Sequence, residues 1–572
     1  MTAGTTTEVD APGGAREPIG APLGAKQRRL SSNLLGAIAA LTVAPLFCVD
    51  YLPFTDLPEH VAVMATLRHW FDPAWRIQEH YVLALGDSQY LLYHATGALL
   101  TFVFGTAEAA NRFMLAAVGL AYPFALRSLL RAMGRDERLA LFGCSLFWNR
   151  ATVIGFLPYI ASLPLLFYAL AVAVREGAEP RLRRTLLLAL LATAIFYMHA
   201  SAFTLLAVVA PCVALAARLP ELEPGPWWWR LLVLVSPLPR RLAWLAPSAV
   251  LAAGWALFGG MTLRGSSLAD DGEIARMSSL RSAHAFTLWA HDVWWSHVDD
   301  ACAVAFWVFF FALLVGRLRA ERARGRAVRV LDPAYVPFLC TAALYFLLPF
   351  RIGGGTMLNV RLAPVLAIFA VVALPAARVA WDVWILRGVA AMSIVIAFDA
   401  AHEMRAMNRE DMVGFDDLIA KIPMGARLVT LSFRIPSRRT HFPPWVHVGA
   451  YHRARKGGVA SFSFTELRHW PLHYVPGAAP PRKRETFWDF NPCLFHNAED
   501  GPYYDYVLVR GDVDPFRDRP PGPAWRKIGA TQQFALFEKV PGELYEPWPF
   551  PDEGPCRARE ELAKRAAASA PE

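Results

Sequence analysis

Carboxylates are concentrated in the stretch DYLPFTDLPEH, residues 50–60, which directly follows the first long apolar run of the chain. A carboxylate just outside a bilayer, beside a cavity where water is scarce, can have a raised proton affinity and act as a general base. We expect Asp56 to be that base, with Asp50 as the alternative because it lies where the helix emerges. Pro53 and Pro58 interrupt helical structure and predict a shaped loop.

Two further side chains of this stretch, Glu59 and His60, are candidates for contacting a ligand from the same loop. They begin what the sequence predicts as a helix lying on the membrane surface and ending near Trp70. A structural role for Asp56 competes with the catalytic one, since an aspartate before LPEH can cap this helix by accepting backbone N–H bonds. The residues of the loop alone leave both roles open.

Arginine marks a second candidate site, in PFRIGGGTMLNVRLAP, residues 349–364. Arg351, Asn359 and Arg361 frame a glycine-rich turn between two apolar runs, and Arg361 begins the second run. A guanidinium binds phosphate oxygens in pairs, and an arginine at membrane depth is costly unless it meets an anion or a carboxylate. The competing interpretation is that these arginines snorkel to the interface. The glycines do not indicate a nucleotide loop, because no Lys-Ser or Lys-Thr pair follows them.

Histidines are spread along the chain. His199, in YMHASAF, lies near the outer end of a predicted helical hairpin and is a candidate for lining a cavity. His284, His291 and His297 lie close together in a later outer loop, but without the HxxxH or HExxH spacing of zinc sites. The sequence therefore predicts no cofactor, and it does not favour a divalent metal.

Apolar runs have to position these residues. Hydrophobic residues make up 55% of the 572 residues, and the mean hydropathy is +0.31, which is more than an ordinary soluble chain carries. Runs of roughly 17 to 25 residues, long enough to cross ~30 Å of hydrocarbon, recur between residues 31 and 400. They predict a polytopic α-helical membrane protein with about eleven transmembrane helices, within a range of about ten to thirteen. The run YLLYHATGALLTFVF is not expected to span fully.

Composition divides the chain into four parts. Residues 1–30, rich in Gly, Ala, Thr and Pro, are predicted to be a disordered cytoplasmic N-terminus. Residues 31–400 form the transmembrane domain. Residues 401–555 contain short strand-like runs such as YDYVLVR and QFALFEK, and they predict a small α/β soluble domain. Residues 556–572 are expected to be a polar tail.

Positive charge predicts the orientation. Basic loops such as Arg127–Arg138, Arg175–Arg184 and Arg317–Arg329 are expected in the cytoplasm together with the N-terminus, which places the C-terminal domain outside the cell membrane. The net charge of +9 then reflects topology and anionic lipid headgroups, so nucleic acid is not a predicted partner. An oxidising outer compartment would allow Cys493 and Cys556 to form a disulfide, although the sequence does not show that they meet.

The arrangement resembles the GT-C superfamily of membrane glycosyltransferases, which includes bacterial protein O-mannosyltransferase-like and aminoarabinose transferase-like proteins. The resemblance rests on the first helix, the acidic first outer loop, FGTAEAANRF at residues 104–113, the arginine in NVRLAP and the outer C-terminal domain. It implies that Asp56, with Asp50 as the alternative, is the base or orients the acceptor. It also implies that Arg361, and after it Arg351, contacts the donor phosphate. Many members have adjacent acids at the start of this loop, whereas five residues separate Asp50 from Asp56 here.

The resemblance implies transfer of a sugar from a polyprenyl-phosphate donor to an acceptor hydroxyl at the outer face of a bacterial inner membrane. The carboxylate takes the proton of the hydroxyl, and arginine stabilises the departing lipid phosphate. The expected partners are the lipid donor, membrane lipid, and a glycan, lipid or protein acceptor. A transporter or flippase for a lipid-linked sugar, and a catalytically inactive relative that only binds, are the alternatives. No pair of similar halves is visible in the sequence, which disfavours transport.

Overall fold

The computed structural model describes residues 25–85, 88–219, 222, 226–258, 274–325, 332–352, 355–467, 470–481 and 490–545. Helices account for most of the ordered elements among them. In chain order the α-helices are α1 (Ala25–Val43), α2 (Leu57–Arg68), α3 (Leu91–Phe104), α4 (Ala107–Ala132), α5 (Leu141–Ser145), α6 (Arg150–Ile154), α7 (Leu157–Ala178), α8 (Leu182–Met198), α9 (Ala200–Ala216), α10 (Trp227–Val235), α11 (Leu238–Arg241), α12 (Ala246–Phe258), α13 (Ser279–His291), α14 (Val298–Ala323), α15 (Val336–Leu347), α16 (Ala363–Val372), α17 (Asp382–Asp411), α18 (Phe415–Ala420) and α19 (Ala450–Lys456).

Strands are short and lie mainly in the C-terminal part. In chain order they are β1 (Tyr81–Leu83), β2 (Ile274–Ala275), β3 (Arg351–Ile352), β4 (Arg427–Ser432), β5 (Val459–Ala460), β6 (Leu472–Tyr474), β7 (Tyr506–Arg510), β8 (Gly522–Ala530) and β9 (Phe534–Tyr545). The mainly helical architecture with a small sheet domain, predicted from composition, is therefore confirmed.

Several helices have the composition of membrane spans. Within the described ranges, α4, α7, α14 and α17 are long and apolar enough to cross a membrane, judged by length and composition. Six shorter apolar helical segments accompany them. The helix α3 contains 14 residues and rises about 21 Å at 1.5 Å per residue, less than ~30 Å of hydrocarbon. Its length agrees with the expectation that this run does not span fully.

A five-stranded mixed sheet forms the centre of the C-terminal domain, in the order β5-β4-β7-β9-β8. The strand β4 is parallel to β5 and β7, and β9 is antiparallel to β7 and β8. On one face Val429, Val507 and Phe537 are buried in a common apolar cluster. On the other face Leu428, Leu508 and Leu536 pack into the main core, so both faces of the central strands are buried.

Two of the predicted domain boundaries, at residues 30 and 400, lie inside helices of the structure. The helix α17 continues to Asp411, past the predicted boundary at residue 400. The sheet domain therefore follows directly after a helix with the composition of a membrane span. The helix α1 begins at Ala25, while residues 1–24 and the predicted tail, 556–572, lie outside the described residues. Cys493 is disulfide-bonded, and Cys556 also lies outside the described residues.

The segment between α2 and α3 and the C-terminal domain are joined by a small antiparallel sheet. Strand β1, from this segment, pairs with β6, with Tyr81 opposite Tyr474 and Leu83 opposite Leu472. Backbone hydrogen bonding of this kind fixes both position and register. The C-terminal domain is therefore attached to the segment between α2 and α3, and α2 separates this segment from Asp56.

Candidate functional site

The Asp56 loop is held against the turn that follows α6. The Asp56 N–H donates to the carbonyl of Ile154 at 2.9 Å, and the Thr55 N–H donates to the carbonyl of Val153 at 3.2 Å. Gly155 has a φ of +100°, and a Cβ there would lie 2.9 Å from the Asp56 nitrogen. Only glycine combines this backbone conformation with so close an approach.

The Asp56 side chain does not cap the helix that it precedes. It occupies the N-cap position of α2 but makes no capping hydrogen bond, so the capping interpretation is wrong. The side chain is 15% exposed. The carboxylate is therefore partly enclosed without serving as the cap of the helix.

His447, from the C-terminal domain, lies beside Asp56. Its Nε2 is 3.8 Å from Asp56 Oδ1, and its ring stacks on Phe462 with ring centroids 4.1 Å apart. Burial lowers the pKa of His447 to about 3, so the ring is neutral at physiological pH. A neutral neighbour does not weaken the carboxylate as a base in the way that a cation would. No pattern in the sequence predicted this contact.

Arg361 is oriented by the turn that precedes it. Its Nε donates to the carbonyl of Met357 at 3.1 Å, and its Nη2 donates to the carbonyl of Thr356 at 2.6 Å. The guanidinium also lies over the ring of Phe156, 4.4 Å from its centre. These contacts fix the direction of the fork while the group stays charged.

His199, between α8 and α9, and Tyr90, directly before α3, both lie close to Arg361. His199 Nδ1 accepts from the N–H of Ser201 at 3.0 Å, so the neutral ring carries its proton on Nε2. That Nε2 lies 3.2 Å from Tyr90 Oη and 3.4 Å from Arg361 Nη1. Imidazole N–H, phenol O–H and guanidinium N–H groups therefore converge on one place, which we call the donor cluster (Tyr90, His199 and Arg361).

Asp56 and the donor cluster belong to one site. The carboxylate interacts electrostatically with both Tyr90 and Arg361. A surplus of hydrogen-bond donors complements an anionic oxygen, and the carboxylate can accept a proton beside it. The structure thus brings together Asp56, Arg361 and His199, which the sequence proposed separately, and adds Tyr90 and His447. A single tyrosine or histidine in a loop does not indicate a functional site from the sequence alone.

Asp50, Arg351 and Asn359 are placed differently from the donor cluster. Asp50 is exposed, and its backbone carbonyl accepts from Arg112 at 2.6 Å. Arg351 is part of strand β3, paired with Ala275. Asn359 is buried, and its amide group donates to the carbonyl of Tyr345 at 3.4 Å.

Glu59 and His60 require a correction, because neither side chain is open to a ligand. Glu59 is 0% exposed, and its Oε2 lies 3.1 Å from Arg453 Nη2. His60 is 3% exposed, with its Nε2 3.0 Å from the carbonyl of Gly155. Both side chains hold the loop in place. The expectation that this helix lies on the membrane surface is wrong, because α2 is buried on every side from Leu57 to Thr66.

Metal binding has no candidate in the part of the chain that the structure describes. Groups of three or more His, Cys, Asp or Glu side chains with the geometry to hold an ion do not occur there.

Comparison with known proteins places the fold. No protein-family model matches the sequence, and no curated protein matches it. Among solved structures, ArnT from Cupriavidus metallidurans bound to undecaprenyl phosphate aligns with a TM-score of 0.50 and 12% identity, over 90% of this chain and 98% of that chain. Arabinofuranosyltransferase AftD from Mycobacteria aligns at 0.45 and 14% identity, over 91% and 40%. The oligosaccharyltransferase of Archaeoglobus fulgidus aligns at 0.40 and 14% identity, over 83% and 68%.

The ArnT alignment covers nearly the whole of both chains. Its identity is low, so it defines the fold and not the reaction. The chain has the GT-C fold of membrane glycosyltransferases, as the resemblance of its sequence predicted.

Proposed function

We propose that the protein transfers a sugar from a polyprenyl-phosphate donor to an acceptor hydroxyl at the outer face of a bacterial plasma membrane. The observation that carries the proposal is that the Asp56 N–H bonds to the carbonyl of Ile154, while the Arg361 guanidinium lies over the ring of Phe156, two residues further along. The GT-C fold supports a membrane glycosyltransferase, and ArnT was solved with undecaprenyl phosphate. Fold alone would not select the reaction, so the site has to supply the chemistry.

The donor cluster is suited to the leaving group. As the bond between the anomeric carbon and the phosphate oxygen breaks, negative charge grows on the phosphate. The guanidinium of Arg361, the Nε2–H of His199 and the hydroxyl of Tyr90 are positioned to donate to those oxygens. Donors that are already oriented stabilise developing charge without reorganising, which is the largest contribution in many active sites.

Asp56 is suited to the acceptor. The acceptor oxygen attacks the anomeric carbon, and its proton passes to the carboxylate as the new C–O bond forms. The neutral ring of His447, 3.8 Å away, borders the place where this proton arrives. The acceptor oxygen supplies the electron pair of the new C–O bond, and the pair of the broken C–O bond leaves with the lipid phosphate, so the exchange needs no redox partner.

Transfer of radiolabelled sugar from a panel of polyprenyl-phosphate donors, with donor binding measured in parallel, tests the proposal. Arg361→Ala should weaken donor binding and turnover together by about 10- to 100-fold, the range for a hydrogen bond to a charged group. Arg351→Ala is the matched control and should keep both.

Two outcomes would contradict the proposal. Donor binding without turnover across the whole panel would favour a flippase or an inactive binding relative, which need the arginine but no base. Unchanged donor binding in Arg361→Ala would show that the donor cluster does not bind the sugar donor.

A further inference from the structure

Two buried histidines face each other behind the Asp56 loop. His60, in α2, is 3% exposed, and His94, in α3, is 0% exposed. His60 Nδ1 lies 3.0 Å from His94 Nε2. The ring planes differ by 23°, so the two rings are nearly parallel. The contact is a direct one between ring nitrogens, at hydrogen-bond distance.

The other nitrogen of each ring faces a backbone carbonyl. His60 Nε2 lies 3.0 Å from the carbonyl oxygen of Gly155, and His94 Nδ1 lies 2.8 Å from that of Tyr90. A carbonyl oxygen can only accept a hydrogen bond. Each of these two ring nitrogens must therefore carry a proton.

Counting protons gives the charge of the pair. Three contacts in a row require three protons, one at each carbonyl and one between the rings. Two neutral imidazoles supply only two. If both rings were neutral, the lone pairs of His60 Nδ1 and His94 Nε2 would face each other at 3.0 Å.

We propose that His60 and His94 share a single additional proton, and that this singly charged pair is a positioning unit that clamps the Asp56 loop to the start of α3. The pair reaches Asp56 through Gly155, whose Cα packs against the Asp56 backbone, and it reaches the donor cluster through the backbone of Tyr90. The effect of the pair on sugar transfer rests on the proposed function, whereas the presence of the shared proton does not.

The surroundings of the pair favour a delocalised cation. The ring of Trp470 lies 5.3 Å from His60 and 4.7 Å from His94, and the ring of Tyr93 lies 5.6 Å from each. Aromatic faces attract a desolvated cation. His60 also follows Glu59 directly in α2.

The charged groups around the pair come from two elements. At the start of α2 these are Glu59 and the N-cap residue Asp56, one turn before His60, and the C-terminal domain contributes Arg453, which disfavours a further charge on His94. The turn after α6 contributes the carbonyl of Gly155. Burial lowers the pKa of His60 to about 3, and the contact with the Gly155 carbonyl opposes this fall only in part. The central contact opposes that effect, because a shared proton replaces two opposed lone pairs by a hydrogen bond.

Thermal unfolding of the full-length protein in lipid nanodiscs between pH 7 and pH 9 tests the proposal. Free histidine side chains titrate near pH 6.5, so above pH 7 the unfolded chain has released its protons while the folded pair still holds one. Stability must then fall as pH rises. In His94→Gln the amide N–H can donate to a neutral His60, so no additional proton is held. The part of the fall in melting temperature that comes from this proton should therefore disappear. Exposed His284→Gln is the control and should behave like the wild type.

A direct measurement keeps the proposal testable if His94→Gln does not fold. In histidine ¹⁵N spectra at pH 7, the shared-proton pair has one bare ring nitrogen in total, averaged over the two rings, whereas two neutral rings have one each. Two bare nitrogens, or identical pH dependence in wild type and His94→Gln, would overturn the proposal. Neither readout involves a sugar donor, so failure here is distinguishable from failure of the proposed transferase activity.

Discussion

At the scale of single residues, Asp56 lies between neighbours of opposite character. On one side is the neutral, buried ring of His447, and on the other are Arg361 and Tyr90, which interact with the carboxylate electrostatically. A base beside a cation is weakened as a base, but the same cation attracts the leaving phosphate. The arrangement therefore suits a site where proton removal and charge stabilisation occur together.

Tyr90 offers a test of the donor cluster at this scale. Its ring stacks on Trp470 with centroids 5.4 Å apart, so Tyr90→Phe keeps the packing and removes only the hydroxyl beside His199. We expect donor affinity to fall about tenfold, the effect of losing one hydrogen bond of about 1.4 kcal/mol. Titration with a polyprenyl-phosphate sugar measures it.

Tyr93→Phe is the control for Tyr90→Phe. It also removes one buried hydroxyl, which donates to Asn111 at 2.6 Å, but that bond connects α3 to α4. Stability should fall in Tyr93→Phe while donor affinity stays at the wild-type value. Equal donor affinity in Tyr90→Phe and Tyr93→Phe would contradict the role of Tyr90.

At the scale of elements, the turn between α6 and α7 determines where Asp56 stands. In Gly155→Ala the new Cβ would lie 2.9 Å from the Asp56 nitrogen, in a left-handed backbone conformation. We expect stability to fall by roughly 1–3 kcal/mol, as for other residues forced into such conformations. Turnover should fall further than this loss of folded protein explains, because the Asp56 loop has to move.

Gly105 provides a matched comparison for the turn. It also has a positive φ, of +82°, but nothing lies within 4 Å of a Cβ built there. Gly105→Ala should therefore carry a similar backbone strain and leave turnover per folded molecule unchanged. If both variants kept full turnover per folded molecule, the turn would not position Asp56.

At the scale of the whole molecule, the C-terminal domain is joined to α2 and to the segment that follows it. Glu59 and Arg453 form a buried ion pair at 3.1 Å between α2 and α19, next to the sheet formed by β1 and β6. Burial raises the pKa of the Glu59 carboxyl, and the charge of Arg453 opposes this rise. Removing one partner leaves the other buried and uncompensated.

Arg453→Met should destabilise the protein by about 3–5 kcal/mol, the range for a broken buried ion pair. The double variant Glu59→Gln, Arg453→Met should recover part of that loss, because no buried charge remains. Denaturant unfolding measures both. Arg76→Met breaks an exposed pair with Glu79 and should change stability little. A double variant no more stable than Arg453→Met would contradict the coupling.

Sequence reasoning succeeded where chemistry follows from composition. Apolar runs predicted the helices, and short strand-like runs predicted the sheet domain. It failed where contacts cross long stretches of chain. Tyr90 and His199 are 109 positions apart, and His447 reaches Asp56 from the other end of the protein. Glu59 was misplaced because a buried, paired acid and an exposed one look alike in sequence.

Sugar transfer by Asp56→Asn, compared with Asp50→Asn, is the most direct test of the site. General-base catalysis contributes typically about 10²- to 10⁴-fold, so turnover should fall by that factor in Asp56→Asn while donor affinity persists. Asp50→Asn, which changes the exposed acid of the same loop, should turn over like the wild type. Full turnover in Asp56→Asn, or its loss in Asp50→Asn alone, would contradict Asp56 as the base.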